Sequence, residues 1–188
     1  MAFYPPKINE RFLHLQNTGE TESATAIATN GSFVCGAVLR ISLRVENDII
    51  ISARFKAAGC GFLIAAADVL CERIAGKNIV EGINIFQIVE NELGEFEPSR
   101  KHCLELVWQT FQKAVNNFRA TKREDWNGDE ALICTCFGVS EKTIEIAIAK
   151  NLLVTVEDVS RVCNAGAGCG SCQPLIEDIL ANVWRGEI

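Results

Sequence analysis

The sequence predicts two domains: an α+β domain, in which a small antiparallel sheet packs with helices, followed by a small all-α domain. Three observations predict this. Apolar and polar residues alternate over 39–56, as in a β-hairpin. Helical periodicity dominates from Phe62 onward. A polar stretch containing Asn127-Gly128 separates two cysteine-bearing regions. The expected boundaries are 1–120 for the first domain, 121–131 for a linker and 132–188 for the second domain.

The first 30 residues are polar and show little periodicity. Leu39, Ile41, Leu43 and Val45 alternate with Arg40, Ser42 and Arg44, and Ile49, Ile51, Ala53 and Phe55 alternate with Ser52, Arg54 and Lys56. These are two half-buried strands turning at Asn47-Asp48. Gly59-Cys60-Gly61 breaks the pattern, and Phe62 to Ala75 reads as a buried helix stopped by Gly76. Residues 79–93 hold one or two short helices around Ile83, Ile85, Ile88 and Val89. Pro98-Ser99 supplies a helix start with Ser99 as N-cap. Leu104, Val107, Trp108, Phe111, Val115 and Phe118 then extend an amphipathic helix to about Ala120. In the second domain, Ser140 caps a helix bearing Ile144, Ala147 and Ile148, and Thr155 with Asp158 forms a capping pair for the next. Pro174 opens a last helix with Leu175, Ile176, Ile179, Leu180 and Val183 on its apolar face.

Composition narrows the function. Hydrophobic residues make up 48% of 188, enough for packed cores, and the net charge of −6 argues against nucleic acid. No apolar run reaches the ~20 residues that a membrane helix needs, and Met1-Ala2-Phe3-Tyr4-Pro5-Pro6 has no leader pattern. The expectation is a cytoplasmic protein with reduced thiols, whose nine cysteines are better read as metal ligands than as disulfides. No catalytic triad, nucleotide loop or pair of catalytic carboxylates stands out, so no enzyme is expected.

Cys134-Thr135-Cys136 is followed 33 positions later by Cys169-Gly170-Ser171-Cys172. A C-x-C and a C-x-x-C pair drawn to one point hold either an iron–sulfur cluster or zinc. A thioredoxin-like role for Cys169 and Cys172 lacks the surrounding βαβ pattern. Gly166, Gly168 and Gly170 let the backbone approach the sulfurs and point amides at them, and Cys172 sits just before the helix opened by Pro174. A domain of about 55 residues has a thin core that a metal centre would stabilise.

Ile133-Cys134-Thr135-Cys136-Phe137-Gly138-Val139-Ser140, Val154-Thr155-Val156-Glu157-Asp158-Val159 and Gly168-Cys169-Gly170-Ser171-Cys172 resemble the bacterioferritin-associated ferredoxin family. More closely, they resemble the central [2Fe–2S] domain of NifU proteins. Over 132–182 the resemblance implies a permanent [2Fe–2S] cluster on Cys134, Cys136, Cys169 and Cys172. Cys163 reads as buried filler rather than a fifth ligand.

Cys35, Cys60 and Cys103 form a second group, with His102 beside the last. Cys60 and Cys103 lie near helix N-termini, where dipoles lower thiol pKa, and Arg100 and Lys101 add positive charge. Adjacent helical residues diverge by about 100°, so His102 can swing in or out. Three cysteines with a variable fourth ligand make an open, labile site. Taken singly, each cysteine is more often a core residue; Cys71, among Leu70 and Ile74, is read as core, and His14 as surface. Phe33-Val34-Cys35-Gly36, the run Ala53 to Gly61, Gly76-Lys77 and Lys101-His102-Cys103 resemble the IscU/NifU N-terminal scaffold family from about Phe12 to Phe118. The resemblance implies an IscU-like fold with the three cysteines in register.

Together the domains resemble a NifU protein without its usual third, C-terminal carrier domain, since the sequence ends at Ile188. Three departures stand out. The family's Cys-Gly-Asp is here Cys35-Gly36-Ala37. Its small polar run after the second cysteine is the apolar Phe62-Leu63-Ile64-Ala65-Ala66-Ala67. Its chaperone-recognition segment Leu-Pro-Pro-Val-Lys is Phe96-Glu97-Pro98-Ser99-Arg100. The resemblance implies an iron–sulfur cluster assembly scaffold. A transient cluster, or labile iron or zinc, would sit on Cys35, Cys60 and Cys103 with auxiliary His102. Sulfur would come from a cysteine desulfurase, apo iron–sulfur proteins would be recipients, and three ligands per chain could be shared in a homodimer. The alternatives are an electron-transfer or redox-sensing protein that keeps its clusters, and a structural zinc protein.

Overall fold

The computed structural model describes residues 4–79, 86–94, 96–124 and 130–186. The chain divides into two compact units, Met1–Phe118 and Arg119–Ile188.

In the first unit three strands, β1 (Ala26–Gly31), β2 (Val38–Glu46) and β3 (Ile49–Ala58), form an antiparallel sheet in the order β1-β2-β3. The expected hairpin is present. Asn47 and Asp48 both take positive φ, 47° and 62°, which matches the twist of a two-residue turn. Leu39, Ile41 and Leu43 are fully buried. On β3 the inward side differs from strict alternation: Ile50 is buried and Ile51 is 47% exposed. Arg44 pairs with Ser52 and Val45 with Ile50, so Ile51 is the extra residue of a bulge that reverses the strand's facing.

The polar start is more ordered than its composition predicts. It forms α1 (Pro6–Leu13) and the edge strand β1. In α1 only Ile8 is buried, so no stripe marks the helix in the sequence. The helix is held instead from α2 (Gly61–Ile74), whose fully buried Asp68 pairs with Arg11. Asp68 also accepts from the Gln16 and Asn17 amides at 2.9 and 2.7 Å. Past this anchor, Phe55 N donates to Asn17 O and Gly19 N to Phe55 O, which protects the β3 edge.

Gly76 ends α2 at φ 78°. Next comes α3 (Phe86–Leu93), with Val89 buried and Ile88 half exposed; Ile83 and Ile85 lie outside the described residues. Ser99 does not cap a helix. Pro98 opens a 3-10 turn, Pro98–Arg100, that leads into α4 (Lys101–Glu124). Pro98 fixes φ at the first position and has no N–H to cap, which suits the entry without a side-chain cap. Leu104, Val107, Phe111 and Val115 are buried as expected. On its outer side α4 meets the edge strand: Lys113 Nζ and Asn117 Nδ2 donate to the carbonyls of Thr29 and Ile27. The helix continues to Glu124, four residues beyond the expected end. Its final residues, from Arg119, belong to the second unit.

The second unit is helical, with one short ribbon in which β4 (Leu132–Cys134) pairs with β5 (Val139–Ser140). The ribbon's loop carries Cys136, Phe137 and Gly138. Three helices follow, α5 (Glu141–Asn151), α6 (Val156–Cys163) and α7 (Gln173–Arg185). Ser140 accepts from Thr143 N, and Thr155 accepts from Asp158 N, so both expected caps form. Ile144, Ile148, Val159, Ile176, Ile179 and Leu180 make the core; Leu175, expected on the apolar face, is 50% exposed. No described helix is long and apolar enough to cross a membrane.

Candidate metal centres

In the first unit, Cys35 sits in a tight loop between β1 and β2, closed by Gly36 N to Ser32 O and Ser32 N to Ala37 O. Its neighbours Phe33 and Val34 are exposed, and so is Cys35. Cys60 is the residue that starts α2, and Cys103 lies in the first turn of α4. Their sulfurs come within 3.6 Å of each other across 43 residues of chain. His102 Nε2 lies 3.5 Å from Cys103 Sγ, so the imidazole is swung toward the thiols. The structure thus brings together Cys60, Cys103 and His102, and Cys35 is near enough to act electrostatically on Cys103.

The two thiols differ sharply. The Cys60 thiol is pulled down to about 5, first by the hydrogen bond from Cys103, then by the Leu63 and Phe62 amides and by Arg100. Cys103 moves the other way: donating to Cys60 and being buried both hold its proton on. Cys60 is activated chiefly by Cys103, with the amides of its own helix start assisting, and Cys103 is not activated, which contradicts the expectation that both thiols are lowered. Cys71 is fully buried, and desolvation raises its pKa, as a core thiol requires. His14 is exposed.

Aromatic rings pack at Gly61 and Phe62, the residues that follow Cys60. Tyr4 meets Phe12 and Phe62 edge-on, and Phe62 meets Phe96 at 5.5 Å. Tyr4 Oη accepts from Gly61 N at 3.0 Å, and a Cβ on Gly61 would lie 2.6 Å from the Tyr4 ring. Nothing in the local sequence marks Tyr4 for this position. Ala37 is buried, and a Cβ on Gly59 would come within 3.1 Å of its methyl.

In the second unit, Cys134 and Cys136 come from the β4–β5 ribbon and Cys169 and Cys172 from the loop before α7. Cys136 Sγ lies 3.5 Å from Cys169 Sγ, and Cys172 shares a hydrogen bond with Cys134. The four expected residues therefore meet as two pairs, Cys136 with Cys169 and Cys134 with Cys172. Cys163 is half buried, and its thiol donates to Val159 O at 3.3 Å within its own helix. The Cys169 amide is aimed at the Cys136 sulfur and the Gly166 amide at Cys172. Desolvation nevertheless raises Cys136 and pushes Cys172 up to about 11. Cys169 is exposed and pulled down to about 7, chiefly by the Ser171 hydroxyl 3.3 Å away. In the sequence Ser171 is only the spacer between two motif cysteines; the folded loop makes its hydroxyl a hydrogen-bond partner of Cys169.

The residues fit a metal-bound group. Among the described residues no three donors already stand at the spacing of a closed metal site, but each unit supplies a sulfur pair. Two thiolates on one tetrahedral metal with ~2.3 Å bonds lie ~3.8 Å apart; the observed pairs stand at 3.6 and 3.5 Å. A Cβ on Gly168 would lie 2.8 and 2.9 Å from Cys136 Cβ and Sγ. Only glycine leaves that sulfur its place.

Comparison with known proteins supplies the family. Residues 3–125 match the NifU-like N terminal domain. The chain belongs to the NifU-like family. Residues 132–182 match the BFD-like [2Fe-2S] binding domain. A nitrogen fixation protein NifU from Azotobacter chroococcum is 34% identical over 95% of this chain and 59% of its own length. One from Trichormus azollae is 33% identical over 96% of this chain and 61% of its own length. The chain thus spans about three-fifths of these NifU-like relatives. The IscU scaffold protein of Aquifex aeolicus is 34% identical over 63% of this chain and 78% of its own length. For the fold, the FiSufU structure of Fervidobacterium islandicum AW-1 aligns over 59% of this chain and 95% of its own, with TM-score 0.54 and 21% identity.

Proposed function

We propose that this NifU-like chain is a non-enzymatic scaffold for iron–sulfur cluster assembly. In this reading Cys35, Cys60 and Cys103 receive a cluster as cargo, with His102 as auxiliary ligand, and Cys134, Cys136, Cys169 and Cys172 hold a permanent [2Fe–2S] group. The observation that carries the reading is the Cys60–Cys103 sulfur pair at 3.6 Å beside His102 and the exposed Cys35. Such a half-open set can both take up and release iron. Cys60 is a thiolate at neutral pH and is the first point of metal contact, while Cys103 gives up its proton as metal approaches. Exposed Phe33 and Val34 leave the loop of Cys35 accessible to a cysteine desulfurase that brings sulfur and to apo-proteins that take the cluster.

A [2Fe–2S] group in the second unit would supply one electron at a time to reduce sulfane sulfur during assembly. Around it Ser171 and the Gly166 and Cys169 amides stabilise thiolate charge, and Gly168 keeps the space clear. Replacing Cys136 with Ser and measuring assembly on the first unit without chemical reductant tests this role. Assembly at an unchanged rate discards it.

A second reading is an electron-transfer or redox-sensing protein that retains both clusters. Ala37 favours it, because a buried methyl stands where the scaffold family carries an acid. Incubating the loaded chain with an apo-ferredoxin separates the two. A scaffold transfers the cluster of its first unit within minutes, and a redox module keeps it.

A further inference from the structure

The second unit contains more than the stretch 132–182, because it begins at Arg119. Three contacts join the end of α4 to the C-x-C loop. The Arg119 guanidinium lies over the Phe137 ring, 4.6 Å from its centroid. Arg123 donates to the Thr135 carbonyl at 3.4 Å. Gly138, at φ 63°, backs onto α4 so closely that a Cβ would lie 2.6 Å from Lys122 O. Phe137 is buried, and its ring edge comes within 3.3 Å of where a Gly168 Cβ would stand. The ring is therefore a spacer, with a guanidinium on one side and the cysteine loop on the other.

Arg119 Nε is buried with no hydrogen-bond partner among the described residues. Among the described residues Arg119 makes no ion pair. The sign of the helix end makes the placement meaningful. The carbonyl end of a helix carries partial negative charge, which is unfavourable beside an anionic centre. Arg119 and Arg123 reverse that sign next to Thr135, Cys136 and Phe137. A [2Fe–2S] group on four thiolates is anionic when oxidised. It gains one more negative charge when an external donor gives up one electron and one ferric ion becomes ferrous. Fixed cations favour the form with more negative charge, and charge around the sulfurs is a recognised control of potential.

We infer that Arg119, assisted by Arg123, positions the C-x-C loop and raises the reduction potential of the second centre. The inference rests on the reading of Cys134, Cys136, Cys169 and Cys172 as [2Fe–2S] ligands. Arg119→Gln, Arg119→Lys and Arg123→Glu, each in the full chain, test it. Iron and acid-labile sulfide counts with the absorption spectrum establish the centre; titration with sodium dithionite, followed by electron paramagnetic resonance, reads its midpoint. Arg119→Gln shifts the reduction equilibrium at least threefold toward the oxidised form, about 30 mV at 59 mV per decade, and Arg119→Lys recovers most of the shift. Arg123→Glu shifts it the same way, less in 1 M salt because Arg123 is exposed. A wild-type midpoint in Arg119→Gln, with the spectrum intact, overturns the inference. If Arg119→Gln takes up no cluster, an unchanged midpoint in Arg123→Glu overturns it instead. A wild-type chain without a [2Fe–2S] spectrum sinks the ligand reading itself, a result distinct from either.

Discussion

Gly168→Ala is the sharpest probe of the second centre. Its backbone is not in the left-handed region, so the substitution tests space and nothing else. The new methyl would stand 2.8 Å from Cys136 Cβ, 2.9 Å from its sulfur and 3.3 Å from the Phe137 ring, whereas ordinary contact begins at 3.4 Å. The sulfur or the loop must retreat by about half an ångström, and Cys136 already stands at 3.5 Å from Cys169. Overpacking of this kind costs about 1–3 kcal/mol. Part of that cost falls on the metal-bound state, because moving a ligand sulfur by half an ångström strains a bond of ~2.3 Å. Gly170→Ala is the control. Its φ is 78°, so a side chain adds about 1 kcal/mol of backbone strain, but its nearest neighbour is Gln173 at 3.7 Å. The assay is iron and sulfide content after anaerobic reconstitution, with the rate of cluster loss to a chelator. Gly168→Ala is expected to lose its cluster at least tenfold faster than wild type, and Gly170→Ala to stay within about threefold. Equal lifetimes for Gly168→Ala and wild type would show that the glycine does not reserve space for the Cys136 sulfur.

Three further outcomes follow from the first unit. Cys60, held down at about 5, is a thiolate across neutral pH, so its alkylation in metal-free protein should fall off only as pH drops toward 5; Cys103→Ala removes the principal cause, moves the fall-off upward, and is checked by mass-spectrometric labelling between pH 5 and 9. Asp68→Ala strips a buried acceptor from Arg11, Gln16 and Asn17 and should cost about 3 kcal/mol in urea unfolding, with α1 released first in hydrogen exchange. Ala37→Asp restores an acid near Cys35 and should speed transfer of the first unit's cluster to apo-ferredoxin several-fold; an unchanged rate would remove Ala37 as the reason to consider a retaining protein.

Much of the candidate site was legible because metal chemistry imposes spacing. C-x-C and C-x-x-C bring sulfurs together through a local turn, so Cys134, Cys136, Cys169 and Cys172 could be named before any fold was known. The caps at Ser140 and Thr155 and the Asn47-Asp48 turn were equally local, each deciding a few backbone dihedrals through its own side chain. Elements whose stability comes from elsewhere were not legible. Helix α1 buries one side chain and depends on Asp68, 57 residues away. The bulge at Ile51 answers to its partner strand, not to its own pattern.

The sequence by itself determined the candidate ligands, the hairpin, the capped helices and the NifU-like resemblance, since each is written in residues a few positions apart. Only the tertiary structure decided which sulfurs touch. It made Cys60 the thiolate and Cys103 the thiol, gave Ile50 rather than Ile51 to the core, and set Arg119 over Phe137 beside the C-x-C loop. Charge, burial and approach depend on distances through space, and in each of these cases the neighbour that matters is remote along the chain or stands on another element.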